Sequence, residues 1–144
     1  MITNVDLDLL EKTYQNAKMG ITAIEAVLDK ASNKDFYNDL NKQLQDYKMI
    51  AGKSRQQLRK NGARPKDNSF YKKLMLKSNI KMNTMINSDD SHIAQMVIQG
   101  STMGVTQMTR LLHAHEAAEG DSAQIARDFV KKEEDNINNM KNYL

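Results

Sequence analysis

The sequence predicts an all-α protein, a four-helix bundle made of two related helical hairpins with an extra short helix in the connection between them. Three observations predict it. The first is a repeat: "QNAKMGITAIEAVL" at 15–28 returns as "QGSTMGVTQMTRLL" at 99–112, 84 positions on. Gln15/Gln99, Met19/Met103, Gly20/Gly104, Thr22/Thr106 and Leu28/Leu112 are identical, and Ile21/Val105, Ile24/Met108 and Val27/Leu111 are conservative, so eight of fourteen positions agree in kind. Self-similarity at this distance marks a duplicated structural unit. A weaker echo at an offset of 89, carrying Asp39, Leu40, Lys42 and Asp46 onto Asp128, Phe129, Lys131 and Asp135, extends the relation to the partner helix of each hairpin. The second observation is that apolar residues step by three and four along most of the chain, the period of a one-sided helix. The third is the punctuation: Asn61-Gly62, Pro65 and Gly120 fall between the stepped segments.

Each element follows in order. Leu10, Tyr14, Ala17, Ile21, Ile24, Leu28 and Ala31 predict a first helix over roughly 5–31. In "SNKDF", Ser32 with Asp35, or Asn33, supplies the side-chain oxygen that opens a second helix. Phe36, Leu40, Leu44, Tyr47, Ala51, Ser54 and Leu58 carry its stripe until Asn61 and Gly62, which suit a left-handed cap, and Pro65 prevents resumption. Phe70, Leu74, Met75, Ser78, Met82 and Met85 mark the crossover helix, 69–87. Ala94, Ile98, Ser101, Val105, Met108 and Leu112 repeat the phase of the first helix over 89–119. Gly120, followed by Asp121 and Gln124, closes that helix and caps the last one, 122–143. The organisation is one domain, 1–144, with hairpins at 5–62 and 89–143.

Composition narrows the function. A chain of 144 residues buries roughly 68% of its unfolded surface, enough for a single core. It has no cysteine, hence no disulfide and no thiolate ligand or nucleophile. "MITNVDLDLLEK" lacks the basic and apolar regions of a signal peptide, and no apolar run reaches membrane-span length, so a cytoplasmic protein without membrane partners is expected. Neither a phosphate-cradling glycine loop nor a Ser/His/Asp spacing is present, and an enzyme is not expected.

The repeated Met-Gly-[Ile/Val]-Thr asks for a reason, because a glycine inside a helix costs roughly 1 kcal/mol relative to alanine. Close packing of the first and third helices with Gly20 and Gly104 as neighbours is one, and two tolerated glycines inherited by duplication are the other.

With Met19-Gly20 in the first helix, Gln99-Gly100-Ser101 in the third and two hairpins joined by a crossover, the chain resembles the ferritin-like four-helix bundles, most closely small bacterial members of unknown function. Di-iron members of that superfamily hold their metal with a Glu on each of two helices and Glu-x-x-His on each of the other two. Here the central turns of the first and third helices offer Ala17, Lys18, Ser101 and Thr102, the second offers Leu44 and Tyr47, and the fourth offers Glu133 and Asn136. One acid stands where six ligands are needed. The resemblance therefore implies a bundle that has lost its di-iron ligands, binds no cofactor, and serves a structural or protein-interaction role, with a homodimer the favoured assembly. A metal-binding protein for iron or manganese is the first alternative.

Four groups of residues remain. Glu133 lies in the stripe Ile125, Phe129, Glu133, Asn136 and Met140, and a buried acid needs partners, for which Tyr14, Tyr47 and Asn136 are candidates. His113 with Glu116, and His115 with Glu119, have helical spacings that suit a shared divalent ion, although a solvated helix end with favourable charge is the expected account. Between Tyr47 and Ser88 stand eleven basic residues and one acid, Asp67, whereas the rest of the chain is net acidic. Within the basic segment 48–81, Lys53, Arg55, Arg59, Lys60, Arg64 and Lys66 form a candidate anion or nucleic-acid surface, the second alternative function. Aromatics are too sparse there for base stacking, and pairing with the acidic "KKEEDN" of the last helix is the competing account. Met75, Met82, Met85, Met96, Met103 and Met108 are expected to be core filler rather than an adaptable groove.

Overall fold

The computed structural model describes residues 2–65 and 89–144. Among the described residues four helices pack together: α1 (Asn4–Val27), α2 (Lys34–Lys60), α3 (Asp90–Ala114) and α4 (Asp121–Met140), with 3-10 turns at Leu28–Lys30 and Lys141–Tyr143. Among the described residues there is no strand, and no helix is long and apolar enough to cross a membrane. The expected crossover helix 69–87, Lys66, and Met75, Met82 and Met85 lie outside the described residues.

Local chemistry sets most helix ends. Thr3 and Asp6 form a capping box at α1, the Thr3 N–H donating to Asp6 Oδ2 at 2.9 Å and the Asp6 N–H to Thr3 Oγ1 at 3.1 Å. Asn33, rather than Ser32 with Asp35, caps α2 by accepting from the Phe36 N–H at 3.1 Å. At the other end of α2 the chain turns left-handed at Gly62, φ +74°, so that Gly62 N–H reaches Arg59 O at 3.0 Å and Ala63 N–H reaches Leu58 O at 2.9 Å. These paired bonds satisfy carbonyls that the helix end would leave open. Asp89 caps α3 through the His92 N–H at 2.8 Å.

Two ends differ from the sequence expectation. α3 stops at Ala114 instead of 119; beyond it the Ala118 N–H turns back to the His115 carbonyl, the Ala118 carbonyl accepts from Arg127 Nη2 at 3.1 Å, and Ala118 packs against the core. Gly120, φ +89°, is the N-cap of α4 without a side-chain bond, and Gln124 donates to Asp128 Oδ1 at 2.8 Å instead of completing a box with Asp121.

Contacts between helices fix their directions. The Asp90 carboxylate accepts from the backbone N–H groups of Ser32 and Asn33 at 2.8 and 2.9 Å, so α3 begins at the end of the bundle where α2 begins. Asn16 Nδ2 donates to Gln107 Oε1 at 2.9 Å, which runs α1 antiparallel to α3. The ion pair Lys132–Asp46 at 3.5 Å and the hydrogen bond from the Tyr143 hydroxyl to Asp39 run α4 antiparallel to α2. Thus α1 and α4 point one way while α2 and α3 point the other. With 27 residues at roughly 1.5 Å each, α2 puts about 40 Å between the point where the chain leaves it and the point where α3 starts.

Leu9, Leu10, Ile24, Phe36, Leu40, Leu58, Ile93, Met108, Phe129 and Met140 are almost fully buried between the four helices. Side chains of this size contribute about 1.5–3 kcal/mol each when removed from water. In α4 the stripe through Phe129, Glu133, Asn136 and Met140 faces inward. Met108 is core, as expected, but Met103 stands at the surface.

Candidate functional site

The centre of the bundle is polar. Tyr47 on α2 and Glu133 on α4 are each about 3% exposed, and the Tyr47 hydroxyl donates to Glu133 Oε1. Asn136 Nδ2, one turn along α4, donates to the same oxygen at 3.3 Å. Ser101 on α3, also buried, hydrogen-bonds within this cluster. The cluster therefore joins three helices across the core.

The repeated glycines make room for it. A Cβ on Gly20 would lie 2.6–2.7 Å from three ring atoms of Tyr47, closer than carbon atoms pack. A Cβ on Gly104 would meet Glu133 Oε2 at 3.2 Å, with Asn16 Oδ1 and Phe129 Cε1 at 3.5 Å. Each glycine thus admits a side chain from the second helix of its own hairpin, Tyr47 over Gly20 and Glu133 over Gly104. The atoms nearest to a Cβ at either glycine are those of these side chains, which need the volume that the Cβ would occupy.

Burial dominates the electrostatics. Removal from water pushes the Glu133 carboxyl up from 4.5 to about 7, against the opposing hydrogen bonds from Tyr47, Asn136 and Ser101. Burial, and next the negative charge on Glu133, raises the Tyr47 phenol well above its ordinary value, so it remains a donor through the physiological range. Near neutrality Glu133 exchanges a proton inside an otherwise neutral network.

The partners expected for Glu133 are present in two cases of three. Tyr47 and Asn136 bond to it, but Tyr14 lies elsewhere, half-buried beside Arg55 and Arg59. Ser101 was not singled out as a partner. The available signal was a hydroxyl in an otherwise apolar stripe, since such a group requires a partner when buried.

The histidine pairs fare differently. His113 is on the last turn of α3, and with Glu116 it lines an open groove of about 450 Å³ that also receives Arg127, Lys131 and Glu134. His115 and Glu119 follow the end of α3, so the helical i,i+4 spacing that paired them does not exist. Among the described residues no three His, Asp or Glu side chains are grouped to hold a metal ion.

Lys53, Arg55, Arg59, Lys60 and Arg64 are exposed on the C-terminal half of α2 and the turn after it. None forms an ion pair with the acidic run of α4: there, Lys132 pairs with Asp46, and Glu133 is buried. Arg55, Arg59 and Arg64 instead line one open cleft of about 660 Å³ together with Tyr14 and the 62–65 turn. No known family model, curated protein or solved structure matches the chain.

Proposed function

We propose that the chain is a ferritin-like four-helix bundle with a structural or protein-interaction role and no di-iron chemistry. Its helix directions support the ferritin-like reading, α1 and α4 against α2 and α3, because that pattern needs one long connection between two hairpins. The observation that carries the functional reading is the donor set at the centre of the bundle. A pair of iron ions needs several bridging carboxylates with imidazoles at the ends. The central cluster has a phenol, an amide, a hydroxyl and one carboxyl whose Oε1 already accepts two hydrogen bonds. This donor set does not fit two metal ions. It satisfies itself, which suits a group that fixes the packing of α2, α3 and α4.

Ferrous iron added without oxygen and then exposed to air tests the reading. Oxidation no faster than in buffer is expected. Rapid, stoichiometric oxidation that disappears in Glu133→Ala would overturn it in favour of a metal-dependent oxidase.

A further inference from the structure

We propose that the cleft formed by Tyr14, Arg55, Arg59 and Arg64 binds a small phosphate-bearing anion. Arg55 and Arg59 stand one turn apart on α2, so their side chains are neighbours on one face. The left-handed turn at Gly62, locked by its two backbone hydrogen bonds, folds the chain back and sets Arg64 on the same cleft. Tyr14 on α1 lines the same cleft, and its side chain carries a hydroxyl able to donate.

Charge is left uncompensated there. The lining contains no carboxylate, and the side chains of Arg55, Arg59 and Arg64 form no hydrogen bond or ion pair among the described residues. Some basic side chains elsewhere are used: Lys48 pairs with Glu25, Lys132 with Asp46, and Arg127 donates to a carbonyl. Three guanidinium groups around one concavity repel one another, and a multiply charged anion relieves that repulsion.

The C-terminal end of α2 lies close by, and its partial negative charge of roughly half a unit disfavours an anion. Three full positive charges outweigh it, and the Leu58 and Arg59 carbonyls are already engaged by the turn. Neither Arg55 nor Arg64 donates to the open carbonyls, so capping the helix does not account for them.

Phosphate fits better than carboxylate. Planar guanidinium forks from three positions need acceptor oxygens pointing in several directions, which a tetrahedral phosphoryl group supplies and a planar carboxylate does not. The cleft volume, about 660 Å³, falls within the range of small-molecule sites, roughly 300–1,000 Å³, and exceeds what one inorganic phosphate fills. A pyrophosphate or an organic phosphate is the matching class.

Calorimetric titration of the full chain with inorganic pyrophosphate at low salt tests this. One saturable site is expected. Arg55→Gln, Arg59→Gln and Arg64→Gln should each weaken it about tenfold, the loss expected for one charge-assisted contact. Tyr14→Phe should weaken it by a smaller factor. Lys53→Gln removes the same charge from the same helix outside the cleft and should leave affinity unchanged, while circular dichroism checks that every variant is folded. Absence of saturable binding at millimolar pyrophosphate overturns the proposal. So does equal weakening by Lys53→Gln, which would show a diffuse field, or duplex DNA binding that pyrophosphate does not displace, which would make the surface a polymer-binding face.

Discussion

Tyr47 donates its hydroxyl proton to Glu133 across the core, and each of the two side chains passes over one of the glycines that the sequence repeats. The repeat, the hydrogen bond and the packing are thus one feature. A stability contribution of the glycines is inseparable from the polar cluster they make possible.

Replacing the glycines separates clearance from propensity. Gly20→Ala should destabilise the protein by about 1–3 kcal/mol, since a ring held on both sides cannot yield to a Cβ placed 2.6 Å away. Gly104→Ala should cost much less, because the carboxyl 3.2 Å away can shift slightly and the helix gains propensity. Gly52→Ala and Gly100→Ala, where a Cβ meets nothing within 4 Å, should each stabilise by up to about 1 kcal/mol. Urea midpoints of the four variants read the order directly.

The protonation of Glu133 makes stability depend on pH. Its folded value, about 7, lies above the ordinary 4.5, so between these limits the native chain holds a proton that the unfolded chain has released. Stability should therefore fall as pH rises through this window, with the full contribution present below 4.5 and lost above 7. At about 1.4 kcal/mol per unit, the drop is a few kcal/mol at most. Asp6, whose carboxyl is held below its ordinary 3.8 by Thr3, gives the opposite slope but below this window. Denaturation of Glu133→Gln at pH 5 and pH 8 should give nearly equal midpoints, and a slope retained in this variant would place the titrating group elsewhere.

Tyr47→Phe removes a donor that favours the ionised carboxyl. A loss of about 1–3 kcal/mol is expected, and it should be larger at pH 8 than at pH 5, since only the charged form depends strongly on the lost bond. The carboxyl carbon of Glu133, followed by NMR, should titrate at a higher pH in the variant than in the unsubstituted protein.

Asp90 fastens the start of α3 to the turn between α1 and α2 through two backbone N–H groups. Asp90→Ala should cost about 1 kcal/mol. Hydrogen exchange gives the specific readout: the Ser32 and Asn33 amides should lose protection while the core of α2 keeps it.

What could be read from the sequence was what short range determines. The Gly62 turn, the inward stripe of α2 and, as one of two candidate caps, Asn33 all follow from residues within a turn or two of one another. The early end of α3 was not legible, because "AHEAAEG" is good helical sequence and the contacts made beyond Ala114, with Arg127 of α4 and with the core, are long-range. The partners of Gly20 and Gly104 were hidden for a similar reason: the rotation of one helix against another decides which side chain fills a gap, and periodicity within a helix carries no such information. Tyr14 shows the same limit, as its stripe pointed to the core and it does pack against the core, but its place in the lining of the arginine cleft could not be read from periodicity.

The way each repeated glycine is filled bears on how a duplicated chain can close around its own centre. The echo at offset 89 pairs Tyr47 with Asn136 and Glu133 with Leu44, so the two glycine gaps are filled from non-equivalent positions; a filling by the same type of side chain in both hairpins would set like against like where Tyr47 and Glu133 now meet. Two carboxyls there would resist ionising together and would have to share a proton or recruit a cation. Two phenols would supply two donors without a strong acceptor between them. A phenol from one hairpin and a carboxyl from the other complete each other, so the departure from internal symmetry lets this pair at the centre of the bundle be satisfied by protein atoms.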